Sequence, residues 1–169
     1  MLVRPRTPAD RAACLALLDV VHELDGYPPW LGPGLVPFLE SPDALAAWVA
    51  VGDGEVVGHV ALHGSGPRAA IDRACDATGL PADRLAVVAR LLVSPRYRRR
   101  GVGRSLLMAA SAEATGRGLR PVLDVARQFT GAVALYESCG WTCAGPVTFD
   151  FGDGSTLESH VYVGPAPLT

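Results

Sequence analysis

Arg98, Arg99, Arg100, Gly101, Val102, Gly103 and Arg104 follow an apolar run, Val87 to Val93, that reads as a strand stopped by Pro95, and they open a helical stretch from about Gly101 to Thr115. A strand that turns through glycines into a helix points successive backbone N–H groups into one concavity and adds the positive end of the helix. Such a junction suits an anion, above all a phosphate. Five of the fifteen Lys+Arg residues (Arg96, Arg98, Arg99, Arg100, Arg104) fall within nine positions, in a chain of formal net charge -2. The basicity is therefore local. A nucleic-acid-binding chain spreads its basic residues over a face or a tail, and a pI near 6.0 shows no such surplus. One compact phosphorylated ligand is the better match, with a solvated basic turn as the bland alternative.

All fifteen cationic residues are Arg, which removes whole classes of phosphate chemistry. A Walker loop needs its Lys on the terminal phosphates, a protein kinase needs a strand Lys, and a pyridoxal enzyme needs a Lys for its Schiff base. The dinucleotide fingerprint G-x-G-x-x-G fails as well, because Leu106 stands where the third glycine belongs.

What remains resembles the GCN5-related N-acetyltransferase (GNAT) superfamily, whose acetyl-CoA motif Q/R-x-x-G-x-G/A follows a strand ending in an apolar pattern and Pro. Arg98, Gly101 and Gly103 fill the motif, Leu91 to Pro95 supply the strand end, and Leu106, Leu107, Ala109 and Ala110 supply the apolar side of the helix. Downstream, Ala132 to Trp141 is similar to the family's A-x-x-L-Y-x-x-x-G-F helix and turn. The resemblance runs from about Val87 to Trp141 and implies an α/β (α+β) fold: a mixed sheet of six to seven strands, splayed between the fourth and fifth and flanked by helices. It implies acetyl-CoA as cosubstrate, held by Leu91, Leu92, Val93 and by Arg98, Arg99, Arg100, Gly101, Val102, Gly103 and Arg104. It also implies transfer to a primary amine by direct attack in a ternary complex, with the Leu92 or Val93 amide on the thioester carbonyl and Tyr136 at the sulfur. Where relatives carry a coenzyme-contacting Asn, this chain has Phe129.

Aminolysis of a thioester requires a neutral amine, yet a lysine-like amine of pKa about 10.4 leaves only on the order of one molecule in a thousand ready at pH 7. A base or a desolvated site is needed. Asp124, a carboxylate in the apolar run Val122 to Ala126, is the candidate base, or else the structural partner of Arg90 on the neighbouring apolar strand. Tyr136 has its own alternative as a packing ring beside Leu135. Phe129 keeps open a second function class, an acyl-CoA-binding or regulatory module without turnover.

These groups need elements to hold them. Leu2 and Val3 read as a short strand, and Thr7 as the cap of a helix reaching about Leu24 with Leu15, Leu18 and Val21 or His22 inward. Gly26 to Pro37 is too rich in Pro, Gly and aromatics to be regular and reads as a loop over the site, which makes Tyr27 and Trp30 substrate candidates. Ala46 to Val51 and Val56 to His63 read as a hairpin about Gly52, Asp53 and Gly54, with His63 near enough to the strand end to meet an acceptor. An insert, Gly64 to Arg84, contains a helix from Pro67 to Thr78 closed by Gly79. Two last strands fall near Val147 to Phe151 and Leu157 to Val163.

A chain of 169 residues, 49% hydrophobic and without a composition break, suits one domain over 1–169 with a helical insert near 64–84. Without an apolar run of eighteen residues or a leader-like N-terminus, the expectation is a cytoplasmic protein bound to neither membrane nor nucleic acid. A homodimer is compatible with it. Cys14, Cys75, Cys139 and Cys143 lack metal-ligand spacing and read as thiols, and no metal is expected.

Overall fold

Residues 1–29 and 33–166 of the computed structural model are described below. Seven strands form one mixed sheet in the order β1-β2-β3-β4-β5-β7-β6. The chain gathers into two compact units, Met1–His63 with Val88–Ala110, and Gly64–Val87 with the chain from Ser111 onward.

In the first unit, β1 (Leu2–Pro5) pairs antiparallel with β2 (Ala44–Gly52), and β2 with β3 (Glu55–His63). One 3-10 turn, Pro8–Asp10, precedes α1 (Arg11–Asp25). Asp10 explains the turn. Its carboxylate accepts two bonds from Arg4, at 2.8 and 2.9 Å, and further bonds from the Thr7 backbone N–H and hydroxyl, at 2.8 and 3.1 Å. The Arg4 guanidinium is the first of the groups that hold this buried carboxyl well below the usual carboxylate range. Cys14, Leu17, Leu18 and Val21 of α1 bury against Val49, Leu92 and Leu39. Leu39 belongs to α2 (Leu35–Leu39), a short helix where the Pro-rich composition predicts irregular chain up to Pro37. Pro37 is tolerated because it falls in the first turn, where a missing N–H costs no intrahelical bond.

The opposite face of β3 receives α4 (Val102–Gly116), which buries Val102, Leu106, Leu107 and Ala110. Gly58 makes the approach possible: a Cβ there would lie 2.7 Å from Leu106 Cδ1, 3.0 Å from Val102 Cγ1 and 3.1 Å from the Leu92 carbonyl. His59, the next residue, therefore faces the α1 side, together with its cross-strand partner Val49.

In the second unit, the start of β4 (Leu85–Val93) pairs parallel with β5 (Arg120–Ala126) over Leu85–Val87 and Arg120–Val122, and both strands run on beyond that ladder. β7 (Thr156–Val163) pairs antiparallel with β5 on one side and with β6 (Thr142–Asp150) on the other. β6 begins five residues before its predicted start. Gly145 and Pro146 look like a break, but β6 is an edge strand, where Pro needs no ladder donor, and the chain passes Gly145 as a register shift. The insert forms α3 (Arg68–Thr78), as its Pro67 and Gly79 boundaries predict, and packs on β6 and β7. Gly145 takes φ +121°, and the Arg73 side chain of α3 lies where its Cβ would be, with Nη1 2.9 Å from that position. α5 (Thr130–Ser138) covers the other face, placing the Tyr136 ring 6.2 Å from Tyr162 and 6.1 Å from Trp141.

A methyl group at Gly58 meets buried atoms on three sides. Gly58→Ala should lower stability by about 1–3 kcal/mol, the usual range for overpacking a close contact. Urea unfolding would measure it, and an unchanged midpoint would mean that α4 can lift from β3 at little cost.

Candidate functional site

The junction between β4 and α4 is built from backbone. At the end of β4, the Ser94 N–H donates to the Val57 carbonyl at 2.8 Å, which ties the strand end to β3. A single 3-10 turn follows over Pro95–Tyr97. Arg99 (φ 59°) and Gly101 (φ 80°) then take left-handed backbone on either side of Arg100, and α4 starts one residue later. Alternation of left-handed and ordinary residues turns successive N–H groups to one side, and a helix N-terminus adds its own donors. Arg98, Arg99, Arg100 and Arg104 are exposed around it.

Two carboxylates brace this loop from below. Asp25, the last residue of α1, pairs with Arg98, whose Nε and Nη2 also lie 3.4 Å from the Val93 carbonyl. A carboxylate at the negative end of a helix is unfavourable by itself, and Arg98 supplies the compensating charge. Asp53, in the β2–β3 turn, accepts from the Tyr97 hydroxyl, and the Arg100 guanidinium sits 5.1 Å above the Tyr97 ring. Asp25, Asp53 and Tyr97 escaped the sequence reading. The unfavourable helix-end position of Asp25 is the signal that could have found it.

Further along β4, Arg90 has φ 56°, left-handed backbone on a long side chain inside a strand. Such conformations cost of order 1–3 kcal/mol and persist where surroundings enforce them. Two contacts do so here. The turned Arg90 carbonyl lies 2.9 Å from His59 Nδ1, and because a carbonyl can only accept, Nδ1 carries the proton. The Arg90 Nε donates to the Phe38 carbonyl at 2.9 Å, and the guanidinium carbon lies 3.9 Å over the Phe38 ring. Phe38 in turn meets Tyr27 edge-on at 6.2 Å. His63, the last residue of β3, is buried on the same strand face as His59, four residues on. Tyr27 and His63 thus both belong to the surroundings of Arg90, whereas Trp30 lies outside the described residues. Burial pushes the imidazoles of His59 and His63 down to about 4, with the Arg90 charge acting in the same direction on both. Among the described residues, neither Nε2 atom has a hydrogen-bond partner.

In the second unit, Asp124 is half-buried in the row Asp124, Val161, Gly145, on the sheet face that α3 covers. Tyr136 is buried on the other face, among Tyr162 and Trp141, and Tyr162, whose hydroxyl donates to Glu137 at 2.9 Å, is pushed up to about 12, chiefly by burial. The two candidates for proton transfer therefore flank β5 and β7 from opposite sides. Phe129 is half-buried at the start of α5, where its carbonyl accepts from the Val133 N–H at 3.1 Å. Among the described residues, no helix is long and apolar enough to cross a membrane.

Comparison with known proteins bears on the fold and the family. The model described as the acetyltransferase (GNAT) family matches residues 17–141. A curated Macaca fascicularis protein, Probable N-acetyltransferase 14, is 40% identical over 116 residues, which make up 63% of this chain and 50% of that protein. The chain thus spans about half the length of that relative. A ribosomal-protein-alanine N-acetyltransferase from Brucella melitensis has a similar fold, at TM-score 0.72 and 23% identity, over 96% of this chain and 98% of that one. The structure of yncA from Salmonella typhimurium with its cofactor acetyl-CoA also superposes at TM-score 0.72, with 18% identity over 99% and 97% of the two chains.

The depressed histidines make stability depend on pH. In the unfolded chain an imidazole binds a proton below about 6.5, whereas in the folded state it does so only near 4. Stability should therefore be level above pH 6.5, fall as the pH drops from 6.5 to 4, and lose about 3 kcal/mol through His59 alone. Urea unfolding across this window, compared with His59→Asn, checks it: the variant should show a flatter decline. Equal slopes would mean that His59 titrates normally in the fold.

Proposed function

The chain belongs to the acetyltransferase (GNAT) family, and on that premise we propose that it transfers the acetyl group of acetyl-CoA to a primary amine of a small molecule or peptide, by direct attack within a ternary complex. The observation that carries this reading is the β4–α4 junction, where left-handed Arg99 and Gly101 turn a loop of N–H donors into the start of a helix. The residues fit the coenzyme. Its pyrophosphate would take the amides of Arg99 to Arg104, and its pantetheine arm and thioester carbonyl would take backbone groups of Leu91, Leu92 and Val93. The chain acts as a single domain, with α3 as an insert.

In the proposed step, the neutral amine nitrogen attacks the thioester carbonyl carbon and a C–N bond forms. The Leu92 or Val93 N–H stabilises the oxyanion, an effect of preorganised donors that needs no reorganisation during reaction. The nitrogen loses a proton to Asp124, the C–S bond breaks, and Tyr136 protonates the departing thiolate.

One observation favours a second reading, a coenzyme-binding module without turnover. Tyr136 is 7% exposed among aromatic rings, as a purely structural tyrosine would be. Thiol release from acetyl-CoA in the presence of amines separates the two.

Two sets of variants test the proposal. Gly101→Val and Gly103→Val should abolish CoA binding in calorimetry, while Arg99→Ala weakens it far less, because the donors are backbone groups. Tight binding surviving in Gly101→Val and Gly103→Val would place the coenzyme elsewhere. Tyr136→Phe keeps the ring and removes the proton donor, so kcat should fall by about 10²-fold, the low end for general acid catalysis because a thiolate leaves readily. Coenzyme affinity should hardly change. Full turnover with chemistry rate-limiting would make the hydroxyl structural.

A further inference from the structure

Buried polar atoms in folded proteins are almost always hydrogen-bonded, so each exception asks for a partner. The first unit concentrates two on one strand face: His59 and His63 are 0% and 4% exposed, and the Nε2 of each lacks a partner among the described residues. We propose that these Nε2 atoms mark the acceptor side of the site and take hydrogen bonds from the N–H or O–H donors of the acceptor amine.

Three observations carry the assignment. The proton on His59 Nδ1 is held by the Arg90 carbonyl, so Nε2 is left as a lone pair that can only accept from a donor. That carbonyl is available because Arg90 adopts left-handed backbone, a conformation that a strand without a special task would relax. His63 closes β3, and on the same strand face four residues from His59 it brings a second Nε2 without a partner among the described residues. Charge narrows the ligand. Arg90 lies near both rings and Arg6 near His59, whereas Asp43 near His63 is the acidic group whose influence is felt there. Arg6 is itself paired with Glu40 at 3.1 Å, so Arg90 is the cation common to both rings, and the rings stay neutral at pH 7. The surroundings disfavour an ammonium and suit an uncharged amine, the form that attacks a thioester. Tyr27 reaches the same neighbourhood through Phe38.

The inference rests on the N-acetyltransfer reading, and one set of kinetics distinguishes the failure of each. Wild type, His63→Leu, His63→Gln and His59→Asn are compared by thiol release with n-butylamine and short peptides bearing a free α-amine. His59→Asn keeps a side-chain N–H for the Arg90 carbonyl and deletes only the Nε2 side. His63→Leu and His59→Asn should each raise KM for the amine roughly tenfold, the loss of one hydrogen bond, with KM for acetyl-CoA unchanged. His63→Gln, which carries an oxygen near the Nε2 position, should recover part of the loss. Melting temperature at pH 7 should hold or rise in His63→Leu, since an orphaned acceptor has gone. An amine KM that stays at the wild-type value in both variants, or that worsens only in step with a falling melting temperature, overturns the proposal while leaving N-acetyltransfer intact. A wild type that binds acetyl-CoA but releases no thiol with any of these amines removes the acetyltransfer reading, and this inference with it.

Discussion

The first unit depends on how closely α4 approaches β3. At Gly58 there is no side chain, so Val102 and Leu106 settle against the strand and the Leu92 carbonyl closes the third side. Val102 is also the first residue of α4. Seating it therefore fixes where the helix begins, and with it the direction of the N–H groups that precede the first complete turn. A larger residue at position 58 would not touch the loop, yet it would move every donor in it.

The loop itself is held by charge and by one ring. Asp25 and Asp53 approach from different elements and engage neighbouring residues, Arg98 and Tyr97. Arginine in this loop thus has two uses: Arg98 is spent on bracing, while Arg99 contributes its backbone conformation. Counting cations in the sequence does not reveal that Arg98 is committed to bracing, nor how much of the loop's shape is set by main chain. Surface ion pairs contribute little to global stability. Their effect here is local, narrowing the positions available to a short segment.

How much of this was legible in the sequence follows from the range of the forces involved. The strand ending before Pro95, the helix from Gly101, the hairpin about Asp53 and Gly54 and the insert helix up to Gly79 were all readable, because Pro and Gly act on their own backbone and neighbours. α2 was missed because Pro37 looks like a breaker unless its place in the first turn is known, and the start of β6 was missed because edge position is a property of the sheet. Within the site, the glycine-built loop was readable for the same local reason. The turned backbone of Arg90 was not, since its stabilising partners, His59 and Phe38, lie 31 and 52 residues away in sequence. Nothing local in the sequence marks His59, since its complete burial and the lack of a partner for its Nε2 among the described residues arise only in the fold.

The meeting of α3 and β6 bears on modularity. Gly145 leaves a notch in the edge strand, and Arg73 from the insert fills it. Insert and edge strand are complementary in shape, although some seventy residues separate them along the chain. The insert is therefore not a detachable appendage. A chimera that exchanges residues 64–84 for a short turn would uncover the notch, while one that grafts the insert onto another sheet would bring an arginine with no notch to enter. Transplanting either piece requires transplanting both.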